Sequence, residues 1–166
     1  MRVELPYGRA TLPIDLPADL DVTIVRKPAM PVCADPAAAV RQALAAPIGS
    51  APLQRFAAGG DSACILICDV TRPVPNGLLL RPIVDELAKA GIAHDRVTVL
   101  VATGMHRPNL GAELEELVGD PWVLRHVRVG NHHADDPDAH EQPVVPQLVT
   151  QVQLLLRSRR ASSEVL

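Results

Sequence analysis

The run ACILICDV at 63–70 constrains the fold most: it is apolar throughout except for Asp69. A strand that does not alternate polar and apolar residues belongs inside a parallel sheet, covered on both faces. The downstream residues fit that placement. Leu79, Leu80, Ile83, Val84 and Leu87 repeat at helical spacing, with Asn76 positioned to cap the helix and Gly91 to end it. RVTVLV (96–101) reads as the next strand, 109–118 as a Glu-rich helix stopped by Gly119, and 125–129 as a third short strand. Strand, helix, strand, helix, strand implies parallel strands joined by right-handed crossovers.

The flanks differ. Short extended segments are expected at 2–5, 10–14 and 21–25, separated by Pro and Gly, with Pro28, Pro31 and Pro36 marking an irregular connection. Asp35 followed by Pro36 predicts a capped helix running to about residue 45, where Pro47 stops it. A short helical turn is expected over 52–58, ending at Gly59 and Gly60. The stretch 143–156 has apolar residues without a clear stop, and 157–166 is polar, so a poorly packed tail is expected. The fold class expected is α/β: a parallel-sheet, Rossmann-like domain with short N-terminal β segments, incomplete at its C-terminal end.

Composition narrows the function. With 48% hydrophobic residues but 2% aromatics, the core must be aliphatic. A net charge of −3 gives no electrostatic case for nucleic acid. No apolar run approaches the roughly 18 residues of a membrane span. MRVELPYGRA lacks a signal-peptide core, which makes a cytoplasmic location the expectation. Cys33, Cys64 and Cys68 form no zinc-like pair; the last two, four apart on one strand, share a face and read as small buried hydrophobes.

Ligands of parallel α/β sheets bind beyond the carboxyl ends of the strands, so DVTRPVP (69–75) and ATGMHRP (102–108) are expected to be two loops of one site. Asp69 is an acceptor able to orient a His or Arg, or to pair with Arg72 across a turn. Thr71 and the amides ahead of the helix suit an anion. Arg72 offers a planar fork for a carboxylate or phosphate, on a loop stiffened by Pro73 and Pro75. Thr103 and Gly104 allow close backbone approach to a ligand. His106 alone on these loops has a side chain that ordinarily titrates near neutrality, so it is the proton-transfer candidate. Arg107 is open between binding an anion and stacking outward. The third loop carries His132, His133, Asp135, Asp136, Asp138 and His140; no zinc spacing is present, and a solvated acidic loop is the expectation, with Asn131 and His132 nearest the site. His94 and His126 read as structural.

LPYG near the start, APIGSAPL (46–53), DVTRPVP, ATGMHRP and NHHADDPD occur in an order and spacing that resembles the N-terminal domain of the nickel-pincer-nucleotide-dependent lactate racemases. The resemblance covers about residues 1–138 and leaves 139–166 as a divergent tail. It implies inversion of a 2-hydroxy acid by hydride transfer to the nickel-pincer nucleotide, with His106 as one of two histidines sharing the proton. It further implies that Arg72 receives the substrate carboxylate, that Asp69 helps orient the site, and that Thr71, Thr103 and Gly104 line the substrate and cofactor pocket.

Beyond Asp138 the family pattern is lost. The only lysines are Lys27 and Lys89, and neither lies in a glycine-rich run like the one that tethers the family's cofactor. No metal ligand is assigned. A truncated or frameshifted reading frame, or an excised domain, is therefore expected, inactive by itself. The second reading is a stand-alone module binding a small carboxylate or nucleotide phosphate without chemistry.

Overall fold

The computed structural model describes residues 1–134 and 136, and the backbone of a strand at 153–158. The chain divides into two units, Met1–Val32 and Cys33–Leu166.

The first unit is built on a hairpin. β1 (Arg2–Tyr7) and β2 (Ala10–Asp15) pair antiparallel, with Val3 opposite Ile14 and Leu5 opposite Leu12. Gly8 makes the turn at φ 58° and Arg9 keeps a negative φ, the pattern of a type II′ turn, which follows the natural twist of the strands. Terminal hydrogen bonds between Met1 and Leu16, at 2.9 and 2.8 Å, close the open end. The third expected segment, 21–25, forms no strand, because no neighbour supplies it a ladder.

In the second unit, α1 (Pro36–Ala45) starts where the Asp–Pro pair places it: the Asp35 carboxylate accepts from the Ala38 amide at 2.8 Å. α2 (Leu53–Phe56) is the expected short turn. Then come β3 (Gly60–Cys68), α3 (Asn76–Lys89), a 3₁₀ turn at His94–Arg96, β4 (Val97–Ala102), α4 (Ala112–Val118), α5 (Pro121–His126), β5 (Arg128–Asn131) and β6 (Gln153–Ser158). The sheet order is β5-β4-β3-β6, with β3, β4 and β5 parallel and β6 antiparallel to β3. The α/β parallel-sheet architecture is the one expected. β6 is an addition: within the stretch read as a loose tail, the backbone of 153–158 extends the sheet, while 137–152 and 159–166 lie outside the described residues.

The core lies on one face of this sheet. Ile65 and Ile67 of β3 and Val97, Val99 and Val101 of β4 are buried with Leu80, Val84 and Leu87 of α3. Each such side chain contributes about 1.5–3 kcal/mol on burial. The opposite face is only half-buried, Cys64, Leu66 and Cys68 among it. The two cysteines share a face as expected, none of the three cysteines is in a disulfide, and burial pushes the Cys64 thiol upward. Among the described residues no helix is long and apolar enough to cross a membrane.

Three boundaries move for identifiable reasons. The Glu-rich helix starts at Ala112 rather than 109, because Gly111 takes φ 56°, which is not helical. The third strand starts at Arg128, because Asp120 caps α5 by accepting from Trp122 at 2.7 Å, with Pro121 at the first helical position. On α5, Trp122 stacks on His126 (4.4 Å), meets His94 edge-on (5.0 Å) and carries the Arg81 guanidinium 3.6 Å from its ring centre. Both histidines thus sit in a packing cluster.

The expected cap at Asn76 is the third correction. Asn76 is inside α3 and buried; its Nδ2 donates to the Leu117 carbonyl at 3.0 Å, satisfying the C-terminal end of α4. Close packing there requires Gly77, since a Cβ on it would lie 2.7 Å from the Gly119 carbonyl oxygen.

Candidate functional site

The carboxyl ends of β3, β4 and β5 bring the three loops together, as the parallel order requires. In the first loop Asp69 is 5% exposed although charged. A buried carboxylate persists only when hydrogen bonds replace its water. Thr71 supplies two, from Oγ1 at 2.6 Å and from its amide at 3.1 Å, both to Oδ1. The other oxygen, Oδ2, contacts His106 Nδ1 on the second loop. Burial alone would raise the Asp69 carboxyl; Thr71 and His106 outweigh it and hold it below its ordinary range.

An ionised Asp69 accepts only, so Nδ1 of His106 carries the proton and the neutral ring offers its Nε2 lone pair. The His106 side chain is 59% exposed and lines a cleft of about 380 Å³, together with the rest of 104–108 and with 132–134. Gly104, at φ 56°, makes the turn that brings His106 back, and the His106 amide donates to the Thr103 carbonyl at 3.0 Å.

Arg72 does not pair with Asp69 through its side chain; only its amide donates to the Asp69 carbonyl, at 3.1 Å. Its side chain is exposed and in no ion pair among the described residues. Thr71 spends its hydroxyl on Asp69. Thr103 is buried, and its hydroxyl donates to the His132 carbonyl at 2.5 Å, so it ties two loops together instead of presenting a group to the cleft.

Asn131 turns away from the cleft: its Oδ1 accepts from the Asn109 amide at 2.9 Å and its Nδ2 donates to the Asn109 carbonyl at 3.0 Å. His132 and His133 line the cleft, whereas Asp135, Asp138 and His140 lie outside the described residues. Among the described residues no three His, Cys, Asp or Glu side chains gather as a metal site.

Two contributors are not legible in the sequence. Asn109, which reads there as the start of a helix, is 2% exposed; its Oδ1 accepts from the Val70 amide at 3.3 Å and its Nδ2 donates to Glu113 at 2.8 Å. Glu113 in turn takes both arms of the Arg107 fork, at 2.7 and 2.8 Å. The only available sequence signal is an Asn four residues ahead of a Glu, which any polar helix start shows.

The Arg107 fork, and then the Asn109 amide, bring the Glu113 carboxyl down from 4.5 to about 2. A depressed carboxyl stabilises the fold above its unfolded value and loses that contribution as pH falls through the folded one. A carboxyl-carbon NMR titration should therefore place Glu113 near 2, with Arg107→Ala returning it toward 4.5. A wild-type midpoint near 4.5 would dismiss the bidentate pair.

Residues 7–143 match the family model described as the lactate racemase N-terminal domain. A lactate racemase of Thermoanaerobacterium thermosaccharolyticum is 35% identical over 123 residues, 73% of this chain and 29% of the relative. One from Lactiplantibacillus plantarum is 36% identical over 93 residues, 53% of this chain and 22% of the relative. Among solved structures, the lactate racemase apoprotein of T. thermosaccharolyticum superposes with a TM-score of 0.61 at 32% identity, covering 80% of this chain and 30% of that one. The chain thus spans less than a third of the length of these relatives. With its three strand-end loops in the sheet order described, it belongs to the lactate racemase N-terminal domain family.

Proposed function

We propose that this chain carries the substrate side of a 2-hydroxy-acid racemase site. The observation that carries the reading is the contact between His106 Nδ1 and Asp69 Oδ2, which joins two loops through a buried, ionised carboxylate. It fixes one tautomer and aims a basic nitrogen outward, as removal of a hydroxyl proton demands. Arg72 supplies the fork for the substrate carboxylate. Gly104 and the Thr71 and Thr103 loop ties shape the walls.

The nickel-pincer nucleotide of the resembling family accepts and returns a hydride. The described residues do not fit it. They gather no metal-ligating trio, and Lys89 is paired with Glu86 at 2.6 Å near the far end of α3. Lys27, the other lysine, lies in the N-terminal unit. The reading therefore assigns this chain proton transfer and carboxylate binding, and expects no racemisation by the chain alone. A cytoplasmic location is proposed with it, in keeping with three cysteines that form no disulfide.

Titration of the purified chain with lactate tests this. Arg72→Ala should weaken binding about 10- to 100-fold, the worth of a charge-assisted hydrogen bond. His106→Ala should change affinity far less. Equal binding by the wild type and Arg72→Ala would sink the carboxylate assignment. Nickel-dependent interconversion of lactate isomers by the isolated chain would overturn the expected inactivity. A pure binding module would show the Arg72 effect on binding and no turnover that depends on His106 when joined to the remaining length of a relative.

A further inference from the structure

Two guanidinium groups stand at the strand ends, and the structure treats them oppositely. The Arg72 side chain is exposed and in no ion pair among the described residues. Arg107 belongs to the same wall of the cleft as His106, yet its fork is taken: one arm lies 2.7 Å and the other 2.8 Å from the two Glu113 oxygens, and the first arm also donates to the Pro108 carbonyl at 3.2 Å.

An exposed ion pair ordinarily counts for little, because long side chains wander. This pair is built differently. Glu113 also accepts from Asn109 Nδ2 at 2.8 Å, and Asn109 is buried at 2% exposure. Asn109 is held by both amide atoms of Asn131 and by the Val70 amide. The carboxylate that occupies Arg107 is thus anchored to the ends of β3 and β5, and a bidentate pair with a fixed partner keeps its geometry.

We propose that Glu113 is a specificity determinant: by occupying Arg107 it leaves Arg72, of the two loop guanidinium groups, available to ligand, so the site selects a monocarboxylate over a dicarboxylate. This rests on the assignment of Arg72 as the carboxylate anchor. The charges agree. With the Arg107 fork taken by Glu113, Arg72 is the guanidinium left on the two loops for one carboxylate. A second carboxylate reaching Arg107 would have to displace the anchored Glu113 carboxylate from its fork, and specificity of this kind arises from such an occupied partner.

The test compares lactate with malate, each titrated calorimetrically into the wild-type chain, Glu113→Gln and the double variant Arg107→Ala/Glu113→Gln. The Gln side chain keeps the shape and can still accept from Asn109, so the loop anchor survives; amide NMR spectra verify the fold. Glu113→Gln should raise malate affinity relative to lactate at least about tenfold, the size expected when one charge-assisted contact becomes available. The double variant should lose that gain, which a merely structural role for Glu113 would not predict. An unchanged malate-to-lactate ratio in folded Glu113→Gln overturns the proposal, as does a gain that persists without Arg107. Lactate binding left intact by Arg72→Ala overturns the anchor on which the proposal rests, whereas an unchanged malate-to-lactate ratio beside an intact Arg72 effect overturns the role of Glu113 alone, so the two assignments fail separately.

Discussion

In a chimera carrying this chain in place of the matching segment of the T. thermosaccharolyticum relative, Asp69→Asn is expected to lower racemisation about 10²- to 10⁴-fold. That is the usual worth of a positioned general base. Asparagine keeps the shape and one acceptor for Thr71, but its amide end cannot hold a protonated Nδ1. The ring is then free to take the other tautomer, or to leave, and the lone pair at Nε2 is lost. His106→Ala should cost the same within a small factor, and the double variant little more than either single one, because the two residues act as one unit. The Michaelis constant for lactate should move less than turnover, since Arg72 still holds the carboxylate. Additive losses, or an Asp69→Asn variant with full turnover, would separate Asp69 from the proton path.

Gly77→Ala carries the largest effect expected from one methyl group. In a helix the change would ordinarily stabilise by up to about 1 kcal/mol, because alanine is the better helix former. Here the added Cβ would sit 2.7 Å from the Gly119 carbonyl oxygen, and that neighbour is backbone, not the end of a flexible side chain. Overpacking of this kind costs about 3 kcal/mol at its upper range, so the clash prevails by about 2 kcal/mol. For a chain of this size that lowers Tm by about 4–8 °C. A variant that melts at or above the wild-type temperature would show that α3 and α4 are free to separate.

The same change should weaken lactate binding. It pushes the start of α3, which continues the Arg72 loop, away from α4, whose Glu113 anchors the Arg107 loop. Stability and affinity then fall together through one contact, whereas Arg72→Ala should lower affinity alone.

Local signals place most of the scaffold. An Asp followed by Pro marks the start of α1, an unbroken apolar run marks β3, and a glycine of positive φ closes α4 at Gly119. The same Asp–Pro signal stands at 120–121, and a reading that gives it no weight expects β5 too early. At the helix ends the determining interaction spans fewer than about five residues, the range over which caps and turns act, while β3 is legible through its composition.

Asp69, Arg72 and His106 are identifiable as residue types on strand-end loops, because a parallel sheet gathers its connections at one edge. Their partners are not. Asp69 has two donors in prospect, and only the tertiary structure gives it to His106, 37 residues away, leaving the Arg72 side chain outward. Asn109 and Glu113 carry no signal, since their importance comes from contacts with Val70, Asn131 and Arg107 that depend on where three strands end. The two loops are therefore readable as one site from sequence, through periodicity and strand order. Which charge meets which is decided only by packing, because a hydrogen bond requires a few ångströms in space and is indifferent to distance along the chain.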